Sequence, residues 1–286
     1  MGLLRIIVML PLRWVEVIGS AVGMLFYYLR SDRVDVAHTN LKIAFPDKTE
    51  KEINSLCRTN FKQLGIGTLE VALAWWEQKR LLKITRINGL EHLNDALKNG
   101  KGVILLTSHF TCLEVGGHVL CESIPLEAVY KPAKNKLFDY LMIKNRQAHL
   151  TNLISNDSPR KIISALKNNH VVWYAPDQNL SGKDMVFAPF FNKMATAISA
   201  PSRLAKVTGA ALIPYYIKRH NDAASGKIIY EIFIQPAVDN FPSDDIEKDA
   251  ALINKTNENL IRENPEQYLW VQKRYKTRPE GEPQVY

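Results

Sequence analysis

The sequence predicts an α/β fold: a central, mostly parallel sheet flanked by helices, with a membrane-associated helix at the N-terminus. Three observations carry this expectation. From Ile84 onward, short apolar runs alternate with longer helical stretches, the rhythm of strands joined by covering helices. Several of the short runs, VILLT and VVWYA among them, are apolar almost throughout, as in buried strands. The first thirty residues are the most apolar part of the chain.

The N-terminal segment, MGLLRIIVMLPLRWVEVIGSAVGMLFYYLR, is broken by Arg5, Pro11, Arg13 and Glu16. It has no small-residue cleavage site at its end, and Tyr27, Tyr28 and Arg30 have the character of interfacial anchors. Its uninterrupted part, Val17 to Leu29, falls short of the roughly 20 apolar residues that cross a bilayer. A tilted or imperfect spanning helix, a helix lying in the interface and a buried core helix all remain open. The expected division is residues 1–30 as an anchor helix and 31–286 as the folded body.

After Pro46, T-E-K-E at 49–52 forms a capping box, opening a helix to about Trp76. Its Asn60, Gln63 and Gly67 interrupt the apolar positions, and Trp75 and Trp76 suit either core packing or a membrane interface. There follow ITRI, the helical LEHLNDALKNG, VILLT, a helix over roughly 112–122, LEAVY, and a helix from about Leu137 to His149. Next come a helix that Ser158 caps and Pro159 begins, VVWYA, ISAPSRLAKVTG, ALIPYYI, IIYEIFI and one long late helix ending in IREN.

With 46% hydrophobic and 23% charged residues, the chain is of the folded, globular class. Lys plus Arg outnumber Asp plus Glu by 37 to 29, which favours an acidic partner such as an anionic membrane, a phosphorylated ligand or an acidic carrier protein. No nucleic-acid recognition motif is present, so nucleic acid is not expected as a partner. Cys57, Cys112 and Cys121 form neither a disulfide framework nor a zinc-site spacing, which points to a reducing compartment and no structural metal.

The candidate chemistry lies in LLTSHFTCLEVGG. On one regular helix His109 and Glu114 would stand about 140° apart and could not meet. If VILLT is a strand and the helix starts after His109, the histidine sits at a strand's carboxyl end, where open α/β sheets form ligand crevices. Glu114, one turn into the helix, then reaches back to fix the imidazole tautomer, leaving the other ring nitrogen as a base. Two other readings stand beside this: a local hydrogen bond with an acid favouring a helix start, and a metal site that adds His118.

Seven ordered blocks tie the chain to a known family. NLKIAFP, HFTCLE, YKP, APDQ, FAPFF with AT, ALIP, and PEQYLW with KTRPEGEP resemble the bacterial acyltransferases that finish lipid A, over nearly the whole chain. The ending resembles the lauroyl type more than the myristoyl type.

The resemblance implies transfer of an acyl chain from acyl carrier protein to a hydroxyl of a 3-hydroxyacyl chain on a Kdo-bearing lipid A precursor. It places the enzyme at the bacterial inner membrane, among its phospholipids, with the catalytic domain on the cytoplasmic side. No cofactor and no metal are implied. By the same resemblance His109 is the base and Glu114 its orienting partner. Arg146, Lys131, Asp177, Gln178 and Arg203 are the substrate-binding candidates, with Asp177 orienting Arg146 or the acceptor sugar. Against these roles stand a solvated face for the lysines, a turn for Asp177 and Gln178, and a surface ion pair for Arg203. Lys131 occupies a position where the family often has Arg.

Overall fold

In a computed structural model the structure describes residues 2–29, 31–179 and 185–286; Arg30 lies outside them. The N-terminal segment forms two helices, α1 (Gly2–Met9) and α2 (Leu12–Tyr28), followed by α3 (Asp32–Ala44), α4 (Glu50–Trp76) and α5 (Gln78–Leu82). Strands and helices then alternate: β1 (Thr85–Asn88), α6 (Leu90–Leu97), β2 (Val103–Leu106), α7 (Leu113–Leu120), β3 (Leu126–Tyr130), α8 (Lys136–Gln147), β4 (Asn152–Ser155), α9 (Pro159–Lys167) and β5 (Val171–Tyr174). A hairpin of β6 (Met185–Phe190) and β7 (Lys193–Ile198) leads into α10 (Ala200–Thr208). The long strands β8 (Ala211–Asn221) and β9 (Ile228–Ile234), then α11 (Ile246–Glu263), complete the regular elements before a single 3-10 turn at Pro265–Gln267.

Seven strands make one sheet in the order β1-β9-β8-β2-β5-β3-β4. The strands from β8 to β4 run parallel, and β9 returns antiparallel to β8. The expected mostly parallel sheet is therefore present. The apolar strands explain its two covered faces. Successive side chains of a strand point to opposite sides. Val103 and Leu105 of β2, with Val171 and Trp173 of β5, join the core under α4 and α7, while Ile104, Leu106, Val172 and Tyr174 join a second core under α9 and α10. A single-faced sheet would have left half of these residues in water, at roughly 1.5–3 kcal/mol for each large side chain.

The capping box at α4 forms as expected: Thr49 Oγ1 accepts from the Glu52 amide, and Glu52 Oε2 accepts from the Thr49 amide at 2.8 Å. The interruptions in that helix have specific partners. Asn60, fully buried, donates to the carbonyls of Glu266 and Tyr268, Gln63 accepts from Arg219, and a Cβ on Gly67 would lie 2.6 Å from the Thr111 carbonyl oxygen. Trp75 is in the core, and Trp76 is half-buried with the Arg5 guanidinium over its ring.

One N-terminal helix was expected and two are observed, because Pro11 cannot donate into the helical ladder and so starts α2 afresh. No single described helix is long and apolar enough to cross a membrane. Val15, Gly19 and Gly23 of α2 face α4, and a Cβ on Gly23 would sit 2.0 Å from the Phe61 carbonyl oxygen, so the backbones are in direct contact. The opposite face leaves Trp14, Val17, Leu25 and Tyr28 exposed, and Phe26, in the last turn, is exposed as well. The helix is thus half packed and half uncovered.

Candidate active site

β2 and β5 are adjacent and parallel, with Leu106 opposite Tyr174. Three residues further along each strand, the chain reaches His109 and Asp177, so strand register alone sets these two side by side. His109 Nδ1 lies 2.6 Å from Asp177 Oδ1, and the His109 amide donates to Asp177 Oδ2 at 3.0 Å. The histidine carbonyl accepts from the Leu269 amide at 3.0 Å, and Thr111 donates to the Gln267 carbonyl at 2.7 Å. Residues 108–111 are in this way strapped against the segment that follows α11, and Ser108 adds a hydrogen bond to Asn257 from α11 itself.

The carboxylate on His109 is therefore Asp177, and the expected His109–Glu114 contact is not formed. The cause is geometric: α7 starts only at Leu113 and carries Glu114 toward α8, while the histidine ring turns toward the end of β5. Glu114 Oε1 accepts from Arg146 Nε at 2.8 Å and, more closely still, from Arg146 Nη2. Asp177 was expected to orient Arg146 or a sugar; the structure reverses the pairing, with Glu114 on Arg146 and Asp177 on His109.

Both carboxyls are buried, and burial by itself pushes each pKa up. For Asp177 the charge of His109, the bonds from its ring and amide, and a bond with Tyr268 outweigh burial and hold the carboxyl below its ordinary value. The Tyr268 hydroxyl is pushed well above its usual range by burial and by Asp177, so it stays a donor. For Glu114 the charges of Arg146 and His118 overcome burial in the same way. The His118 pKa is lowered, chiefly by burial and against the raising effect of Glu114, and its Nδ1 donates to the Glu114 carbonyl at 2.9 Å. Among the described residues no group of three or more His, Cys, Asp or Glu is placed to hold a metal ion.

A cavity of about 290 Å³ opens over this site. His109, Lys131, Arg146 and Gln178 line it together with apolar Leu113, Val129, Met142, Trp173 and Ile198. The loops after β2, β3 and β5 all contribute, as expected for a crevice at the carboxyl ends of parallel strands. Trp173 reaches its place because a Cβ on Gly117 would be 2.5 Å from the indole, which accounts for the second glycine after Glu114. The Arg146 guanidinium lies over that indole, 5.8 Å from its centre. Arg203 is exposed on α10, whose buried side packs toward the second core, and is not among the residues lining this cavity.

Sequence reasoning passed over Tyr268 and Asn257, which sit far from the HFTCLE block in the chain; the only signal was the apolar YLW run after α11. Chemically, the arrangement offers an imidazole held in one tautomer by a buried carboxylate, and a guanidinium held by a second carboxylate, at the mouth of a partly apolar cavity.

The sequence profile of the bacterial lipid A biosynthesis acyltransferases matches residues 1–277. The chain is 33% identical over 287 residues to the lipid A biosynthesis lauroyltransferase of Escherichia coli K12, covering 100% of this chain and 92% of that protein. It is also 33% identical over 289 residues to the lipid A biosynthesis palmitoleoyltransferase of the same organism, with the same shares covered. To the E. coli lipid A biosynthesis myristoyltransferase it is 25% identical over 250 residues, covering 86% of this chain and 76% of that one. A crevice at the ends of β2, β3 and β5, and likeness along the full chain, agree: the chain belongs to the bacterial lipid A biosynthesis acyltransferase family and is an acyltransferase of lipid A biosynthesis.

Proposed function

We propose that this enzyme moves a fatty acyl chain from the thioester of acyl carrier protein to the hydroxyl of a 3-hydroxyacyl chain on a Kdo-bearing lipid A precursor, with His109 as the general base. The observation that carries this reading is the His109–Asp177 pair at the cavity mouth. With Nδ1–H given to Asp177 Oδ1, Nε2 is left as the proton acceptor. It takes the hydroxyl proton as the oxygen attacks the thioester carbonyl. The carbon–sulfur bond then breaks, and the imidazolium returns the proton to the departing thiolate. Asp177 stabilises the imidazolium between these steps.

Arg146 uses Nε and Nη2 on Glu114, leaving Nη1 to meet an anionic group of the substrate. Lys131 and Gln178, also on the wall, add polar contacts for the acceptor headgroup. Leu113, Val129, Met142, Trp173 and Ile198 supply apolar surface for an acyl chain. A lauroyl chain is the first donor to offer, since the PEQYLWVQKRYKTRPEGEP ending resembles the lauroyl type. Palmitoleoyl stands second, on the equal identity to a palmitoleoyltransferase.

The exposed apolar side of α2, with Trp14 and Tyr28 at its ends, fits a helix lying in the membrane interface, and the acceptor is a lipid. We place the attachment at the cytoplasmic face of the inner membrane, where acyl carrier protein would supply the donor. The test is to supply purified protein with lauroyl, myristoyl and palmitoleoyl acyl carrier proteins and a Kdo-bearing lipid A precursor, and weigh the product by mass spectrometry. One added acyl group, fastest from the lauroyl donor, is expected. No added mass from any of the three donors would reject the reading.

A further inference from the structure

α8 is unlike the other helices of the folded body: none of its residues is buried. Leu137 is 69% exposed, Phe138 51% and Tyr140 59%, three large apolar side chains uncovered within the first turn and a half. Helices packed on a sheet hide such residues, so this apolar surface is without a partner among the described residues. Around it stand Lys131, Lys134, Lys136 and Lys144, all exposed and none in an ion pair among the described residues. The segment's two remaining charged groups of note are already used: Asp139 accepts from the Ala133 amide, and Arg146 is bound to Glu114.

The position of the helix gives this surface a meaning. α8 follows β3, at the end of the sheet that carries His109, and its Met142 and Arg146 line the cavity wall. The uncovered face is thus continuous with the cavity rim. Apolar side chains ringed by unpaired lysines suit a surface with an apolar interior and anionic headgroups, where aromatic and aliphatic groups enter the boundary and lysine stems snorkel to the phosphates.

We propose that α8 lies in the surface of an anionic bilayer, with Leu137, Phe138 and Tyr140 inserted and Lys134, Lys136 and Lys144 on lipid phosphates, so that the cavity opens onto the membrane. This rests on the reading that the acceptor is a bilayer lipid, and it adds a second contact point, distinct from α2. The acceptor's acyl chain then reaches His109 from the membrane side without the whole lipid leaving it.

The experiment uses the full chain with Cys121→Ser, because Cys57 and Cys112 are buried and their thiols are pushed up by burial, Cys57 to about 12, leaving an introduced thiol as the reactive one. An environment-sensitive fluorophore is placed through Phe138→Cys, and in a separate protein through Trp14→Cys. Vesicles contain phosphatidylcholine alone or with phosphatidylglycerol, with or without a doxyl-labelled lipid. The expected result is a blue shift and doxyl quenching at position 138 on phosphatidylglycerol vesicles. Lys134→Gln, Lys136→Gln and Lys144→Gln should each weaken that insertion by roughly fivefold.

A label at position 14 that inserts while the one at 138 stays in water overturns the α8 proposal and leaves membrane attachment standing. If neither inserts, the membrane reading itself fails. A response at 138 to acyl carrier protein in the absence of vesicles, with none to vesicles, overturns the proposal by assigning α8 to the carrier protein.

Discussion

Asp177→Asn separates the pairing seen here from the one the HFTCLE spacing suggests. Asp177 is fully buried and accepts both from the His109 ring, at 2.6 Å, and from its amide, at 3.0 Å. Asparagine keeps the volume and one acceptor but sets an NH2 group against the other bond. If the amide oxygen stays on the His109 backbone, its nitrogen faces Nδ1, and the imidazole must carry its proton on Nε2, where it cannot act as a base. The whole contribution of general-base catalysis is then at stake, roughly 10²–10⁴ in kcat. At 1.36 kcal/mol per tenfold, that is about 2.7–5.4 kcal/mol of barrier. KM should change little, since Asp177 is too deeply buried to touch substrate. Initial rates of acyl transfer at saturating acceptor, paired with thermal unfolding by circular dichroism, read both quantities. A folded variant that keeps kcat within about threefold of the parent would refute the assignment. So would an intact Asp177→Asn beside a Glu114→Gln that loses the full factor with its KM unchanged.

Glu114→Ala leaves the Arg146 guanidinium largely buried without its carboxylate, and removal of one partner of such a pair costs roughly 3–5 kcal/mol; a matching fall in the unfolding free energy in urea is expected, smaller for Glu114→Gln. The pKa values of Asp177 and Glu114 are both depressed in the folded protein, so their stabilisation is present above the ordinary carboxylate values of 3.8 and 4.5 and is lost as pH falls through the lower folded values. Melting temperature measured from pH 7 downward should drop steeply below about pH 4, and Asp177→Asn should flatten the drop. Gly23→Leu pushes a side chain into the α4 backbone at Phe61, which should cost at least roughly 1–3 kcal/mol and expose the α2–α4 seam to limited proteolysis; unchanged cleavage would mean that the two helices do not pack as described.

Local signals in the sequence were enough for most elements. The Thr49–Glu52 box placed the start of α4, and VILLT and VVWYA placed the two central strands, because capping and continuous apolar runs are set by neighbouring residues. What depends on distant residues was not legible. β4, with polar Asn152 and Ser155 at its ends, pairs only along β3 at the sheet edge and lacks a strand-like run of its own. The antiparallel direction of β9 and the β6–β7 hairpin are set by pairing, which composition does not encode.

The site divides in the same manner. His109 at a strand end and Glu114 on the following helix were legible from spacing, whereas their partners were not. Asp177 meets His109 only because β5 lies beside β2 with Leu106 opposite Tyr174, a pairing across 68 residues. Arg146 meets Glu114 only because α8, packed along β4, carries the guanidinium over Trp173 of β5 to the start of α7. Pro11 is visible in the sequence, but the apolar content of the segment runs on across it, so composition alone does not show the break that its missing amide proton makes.

The most direct measurement of the central claim is the rate at which lipid one acyl group heavier appears by mass spectrometry with His109→Ala, Asp177→Asn and the double variant. Two residues acting as one base predict that each single change slows transfer by roughly 10²–10⁴ and that the double is no slower than His109→Ala alone. Undiminished product from folded His109→Ala, or losses that multiply in the double variant, would contradict it.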